Sequence, residues 1–154
     1  MLLPSLVLAA LALAVPPPMQ ASAAEANASI HAPFTALLRE NVRNDLVDYD
    51  AFAKSQEFQQ YLSRLEAARL EPMSKDERLA FWINAYNAYT IQLINQYKER
   101  ESIRNVNMFM GVLKGKRAGK VEIVRAAGRF LSLDDLLNKI IRAEFKEPKI
   151  HMAL

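Results

Sequence analysis

The chain has 154 residues, 51% hydrophobic and 24% charged, with a formal net charge of +3 and no cysteine. Its length allows one domain with a modest core. The missing cysteine excludes disulfides, thiolate nucleophiles and Cys-based zinc sites within it.

Leu2 to Val15 is a leucine- and alanine-rich apolar run, followed by Pro16-Pro17-Pro18 and Ala21-Ser22-Ala23. This is the pattern of a signal peptide, residues 1–23, with cleavage near Ala23. The run is too short to span a bilayer comfortably. The protein is therefore expected to be exported, periplasmic or secreted, with a short linker at 24–33 and one domain over 34–154.

Pro33 suits the first turn of a short helix whose apolar face is Phe34, Leu37, Leu38 and Val42. Asn44-Asp45 breaks it, and Leu46 to Tyr49 reads as a brief extended piece. Over Ser55–Arg69 the apolar Phe58, Tyr61, Leu62 and Leu65 recur at i, i+3, i+4 and i+7, the mark of an amphipathic helix. Pro72 punctuates the chain, and Ser74 with Glu77 forms a capping-box pattern that opens the next helix.

That helix holds nineteen consecutive residues without a charge, Leu79 to Tyr97. Uncharged side chains all round mean burial on most sides, so the segment, about 75–97, is read as a central core helix. Its asparagines, glutamines and threonine make membrane insertion unfavourable, and the protein is not expected to be transmembrane. Asn84 and Asn87 stand one turn apart on it, beside the small Ala85 and Ala88. Buried amides must be satisfied by a neighbouring backbone or by a ligand, since each unmet group costs roughly 1–3 kcal/mol.

Charge returns at Lys98-Glu99-Arg100-Glu101 and ends the helix. Ser102 to Lys120 reads as a loop, Val121–Val124 as a strand, Gly128 as a turn and Phe130-Leu131 as the returning strand of a hairpin at about 120–131. Ser132 caps a final helix with Leu133, Leu136, Leu137, Ile140 and Ile141 on its apolar face. Residues 149–154 begin a further strand. The expected class is α+β, helices around the central helix with a small antiparallel hairpin.

Residues 24–97 carry seven Lys/Arg against ten Asp/Glu, and residues 98–154 carry thirteen against seven. The basic cluster Lys114, Lys116, Arg117 and Lys120 is a candidate contact for an anionic ligand. Without interleaved aromatic residues it does not suggest nucleic acid, and a solvated hairpin with lysines guarding a sheet edge is the simpler account. Gly111 to Gly115-Lys116 is one residue short of a phosphate-binding loop. His31 and His151 offer no metal-ligand spacing, and no cofactor is expected.

The segments "LLRENVRNDLVDY", "LAFWINAYNAYTI", "SIRNV", "GRFLSLDDLLNKIIR" and "KIHMAL" resemble, in this order, the exported bacterial members of the uncharacterised family called domain of unknown function 547. The most specific match is Phe81 to Ala88. The resemblance implies that further domain sequence follows Leu154, so that the present chain is expected to be an incomplete domain, inert by itself. Within that frame the helix carrying Asn84 and the strand carrying His151 are similar to the layout of papain- and transglutaminase-type enzymes, with Asn84 and His151 as candidate catalytic groups. Trp82, Asn84 and Asn87 are the candidate binding residues. The alternative is a periplasmic binding or protein-interaction module that uses the basic hairpin.

Overall fold

The computed structural model describes residues 23–44, 46–98 and 120–145. Lys114, Lys116, Arg117, His151 and the expected strand at 149–154 lie outside these residues.

Helix α1 spans Ala23–Asn41, with Pro33 inside it. It therefore starts about ten residues earlier than the sequence suggests and takes in the stretch read as linker. Proline removes the bond to the carbonyl four residues back and crowds that carbonyl with its ring, and tertiary packing on both sides opposes that cost: Ile30 packs against the core upstream of Pro33, and Phe34 and Leu37 are buried downstream. Val42 does not belong to the helical face. It pairs with Val47 in a minimal hairpin of β1 (Val42–Arg43) and β2 (Leu46–Val47), turned through Asn44 at φ 51°. Asparagine tolerates this left-handed conformation better than most residues.

Helix α2 (Tyr49–Lys54) is capped by Asp48, and α3 (Gln56–Ala67) by Ser55, whose hydroxyl accepts from the Phe58 N–H. The expected face of α3 is the buried one, Phe58, Tyr61, Leu62 and Leu65. It meets α1 and α2 through an aromatic cluster. Phe34 stacks on Tyr61 at 4.8 Å and packs against Phe58 and Phe52.

Helix α4 (Lys75–Gln96) opens as expected. The Ser74 N–H donates to Glu77 Oε2 at 2.7 Å, and the Glu77 N–H donates to Ser74 Oγ at 3.3 Å. From Phe81 to Asn95 no residue is exposed. Phe81, Ala85 and Ala88 are wholly buried on one side, with Trp82, Tyr89 and Leu93 on the next. Tyr97 caps the helix, and Lys98 turns away at φ 53°. No helix of the described residues is long and apolar enough to cross a membrane.

Strands β3 (Glu122–Ala126) and β4 (Arg129–Ser132) form the expected antiparallel hairpin. Its two turn residues, Ala127 and Gly128, both have positive φ, 48° and 68°. This is the twist that a two-residue hairpin requires. The turn is fastened to α3: the Ala127 N–H donates to the Leu65 carbonyl at 2.8 Å and the Gly128 N–H to the Glu66 carbonyl at 3.0 Å. The hairpin thus serves as the C-terminal cap of a helix more than sixty residues away in sequence.

Ser132 caps a short helical turn, α5 (Leu133–Asp135), as expected, but the chain then widens into a π-helix over Leu136–Phe145. The buried residues become Leu136, Ile140, Ile141 and Phe145, while Leu137 is only partly buried. Spacings of four and five suit i→i+5 bonding rather than the narrower helix that the apolar pattern suggests. The wider repeat carries Phe145 into the core. The described fold is thus α+β and mostly helical, with α4 contacting every neighbouring layer.

Candidate functional site

The capping box sets where α4 begins, and helical geometry then distributes its side chains. With about 3.6 residues per turn, Asn84, Ala88, Ile91 and Asn95 form one line, and Asn87 stands beside Asn84. Ala88 is 0% and Ile91 6% exposed, so this stripe lies against other protein along its middle. The asparagines at either end are partly buried. Asn95 has both amide atoms, Nδ2 and Oδ1, buried with no hydrogen-bond partner among the described residues. Asn87 is engaged in an interaction.

The structure separates the expected binding residues into two places. Asn84 and Asn87 project from one side of α4, whereas Trp82, two residues earlier, projects from the opposite side. The Trp82 ring is 1% exposed and packs edge-on against Phe81 at 5.1 Å. On its other flank Arg129 of β4 lies with Cζ 5.6 Å from the ring centroid. Trp82 is a core residue with a cation, Arg129, against its ring. Lys120 is exposed beside β3.

A further polar pair was not legible in the sequence. His31 Nδ1 lies 2.7 Å from the Tyr61 hydroxyl, joining α1 to α3, and its ring also packs against Phe81 of α4. Nε2 is buried without a partner among the described residues. Whichever way the proton sits between Nδ1 and the hydroxyl, Nε2 is left with an unmet hydrogen or an unmet lone pair. Burial holds His31 neutral, lowering its pKa from 6.5 to about 4. Tyr61 is pushed up, first by burial and then by the nearby Tyr89. Tyr89, pushed up to about 12 by burial, donates to the Arg125 carbonyl at 2.5 Å and so ties α4 to the hairpin. Neutral, buried and paired, these groups are suited to positioning and hydrogen bonding. No spacing pattern marks His31, because its partner stands thirty residues away on another helix.

Among the described residues no group of three His, Asp or Glu side chains is arranged to hold a metal ion. The chemistry available on α4 is that of carboxamides. Each offers one acceptor and two donors, the complement of a peptide group.

A sequence model described as protein of unknown function, DUF547, matches residues 70–154. The matched span begins just ahead of α4 and contains both asparagine positions, the hairpin and the π-helix. No curated protein and no solved structure matches this chain.

Proposed function

The chain belongs to the DUF547 family, and from that premise we propose that it is an exported domain that binds amide-containing ligands, peptide backbone foremost, along the carboxamide side of α4. One observation carries this reading: the Asn95 amide, buried with both polar atoms unpartnered among the described residues. An apolar residue there would suit the fold better, because an unmet buried amide group costs roughly 1–3 kcal/mol. A ligand that supplies a donor and an acceptor removes that cost, and because both atoms are closed to solvent it must displace what covers them. In the enzyme form of the proposal, similar to papain- and transglutaminase-type chemistry, Asn84 polarises a substrate carbonyl and His151 takes up a proton.

The test begins with stability. Asn95→Leu is expected to stabilise the chain by about 1 kcal/mol, since it removes an unsatisfied group, while titrations with short uncharged peptides lose the side-chain amide shifts of Asn84 and Asn87. A substitution that destabilises instead would show the amide to be a structural tie, and the ligand reading would fall.

Export is the second part of the proposal. It is supported by the apolar run from Leu2 to Val15 and by the small residues Ala21-Ser22-Ala23. Mass spectrometry of the exported protein should find Ala24 at the amino terminus; an intact Met1 would refute it.

A second reading, an interaction module working through the hairpin, is favoured by Arg125 and Phe130. They stand opposite one another across the strands, the guanidinium 5.3 Å from a ring that is 54% exposed. Together with Lys120, and with Lys114, Lys116 and Arg117 in the preceding segment, they would meet an anionic partner.

A further inference from the structure

A cleft of about 440 Å³ opens between the α3–α4 connection and the β3–β4 turn, with no residue of α4 in its lining. This is within the range of small-molecule sites, roughly 300–1,000 Å³. One wall is Arg69, Leu70 and Glu71; the other is Ala127, Gly128 and Arg129. Both walls are fixed by backbone bonds. The turn is held on the end of α3 by the Ala127 and Gly128 N–H groups, and the connection is folded by the Met73 N–H donating to the Leu70 carbonyl at 3.0 Å.

By count the lining is balanced, Arg69 and Arg129 against Glu66 and Glu71, but the charges are not paired within it. Glu66, at its edge, lies 4.0 Å from Arg125 of the hairpin. Arg69 and Arg129 have no carboxylate partner among the described residues, which leaves two uncommitted guanidinium groups against Glu71. Arg129 is not a freely sweeping surface side chain, because its guanidinium lies over the buried Trp82 ring. Such stacking orients the planar fork that recognises a carboxylate through two parallel hydrogen bonds.

We propose that this cleft binds a small carboxylate that also carries a hydrogen-bond donor, an amino or hydroxy acid. Arg69 and Arg129 receive the carboxylate, and Glu71 accepts from the amino or hydroxyl group. Glu71 and Glu66 also disfavour dianions, since the lining carries as many carboxylates as guanidinium groups. This site is independent of the carboxamide side of α4, so the two proposals stand or fall separately.

The full chain reports on the cleft through Arg129, whose guanidinium lies over Trp82, the one tryptophan. Glycine, lactate, acetate and inorganic phosphate serve as probes, followed by Trp82 emission and the Gly128 amide resonance. Glycine and lactate are expected to produce saturable changes in both signals, with acetate weaker. Arg69→Gln and Arg129→Gln should each weaken binding by about tenfold or more, the loss expected for a charge-assisted bidentate contact. Arg129→Lys should also weaken it, because lysine keeps the charge without the fork. Glu71→Gln should reduce the preference for glycine over acetate. Arg69 lies outside the hairpin, so its substitution tests the site even if changes at Arg129 loosen the turn. No saturable signal with any probe, binding that survives both arginine substitutions, or phosphate binding tighter than the carboxylates would each overturn the proposal.

Discussion

Replacing Trp82 by alanine is expected to destabilise the chain by about 3–5 kcal/mol, the largest effect of any single change considered. The indole is the largest wholly buried side chain, and it joins the edge of Phe81 to the guanidinium of Arg129. Removing it opens a cavity in the middle of α4 and deprives Arg129 of its aromatic surface. Small domains have only about 5–15 kcal/mol of stability, so the substitution should abolish or severely shift a urea transition followed by circular dichroism. Trp82→Phe should cost less, because part of the ring contact survives. A shift below about 1 kcal/mol for the alanine variant would mean that the ring is not the packing centre described here.

The second large effect is a pH dependence set by His31. Its folded pKa is depressed to about 4 from 6.5. Below about pH 6.5 the unfolded chain therefore takes up a proton that the folded chain refuses. The stabilisation is complete above pH 6.5, declines as the pH falls, and stops declining near pH 4. A full shift of this size would amount to about 3 kcal/mol. Partial exposure of the ring screens the charge, and about 1–2 kcal/mol is the expected loss. In His31→Phe this component of the pH dependence should vanish, although Tyr61 loses its partner. Equal slopes for the two proteins between pH 4 and 6.5 would show that the imidazole is not held neutral by burial.

The two effects differ in how they could be foreseen. A helix without charge over nineteen residues has to be buried, so the importance of its aromatic residues follows from the sequence. The consequence of His31 depends on the contact with Tyr61, and that contact exists only after α1 has been laid across α3. The same distinction holds for the candidate sites. The asparagines of α4 are a local helical pattern. The cleft joins Arg69 to Arg129, sixty residues apart, and depends on where the hairpin turn comes to rest.

By itself the sequence determined the elements whose signals are local. Ser74 and Glu77 started α4, the lack of charge kept Phe81 to Asn95 covered, Gly128 allowed the β3–β4 turn, and Ser132 capped the helix that follows. The family relationship was also legible, because Phe81 to Ala88 is a contiguous string. Tertiary structure alone decided the rest. It extended α1 upstream of Pro33, where packing of Ile30 and Phe34 opposes the lost backbone bond and the ring–carbonyl crowding that the proline brings. It widened Leu136–Phe145 into a π-helix, moving Phe145 into the core and Leu137 out of its centre. It also placed Trp82 and Asn84 in different surroundings and set Arg129 over the indole. Short-range patterns record which backbone conformation each segment prefers, whereas burial, pKa and the meeting of distant side chains depend on how faces pack after those segments have formed.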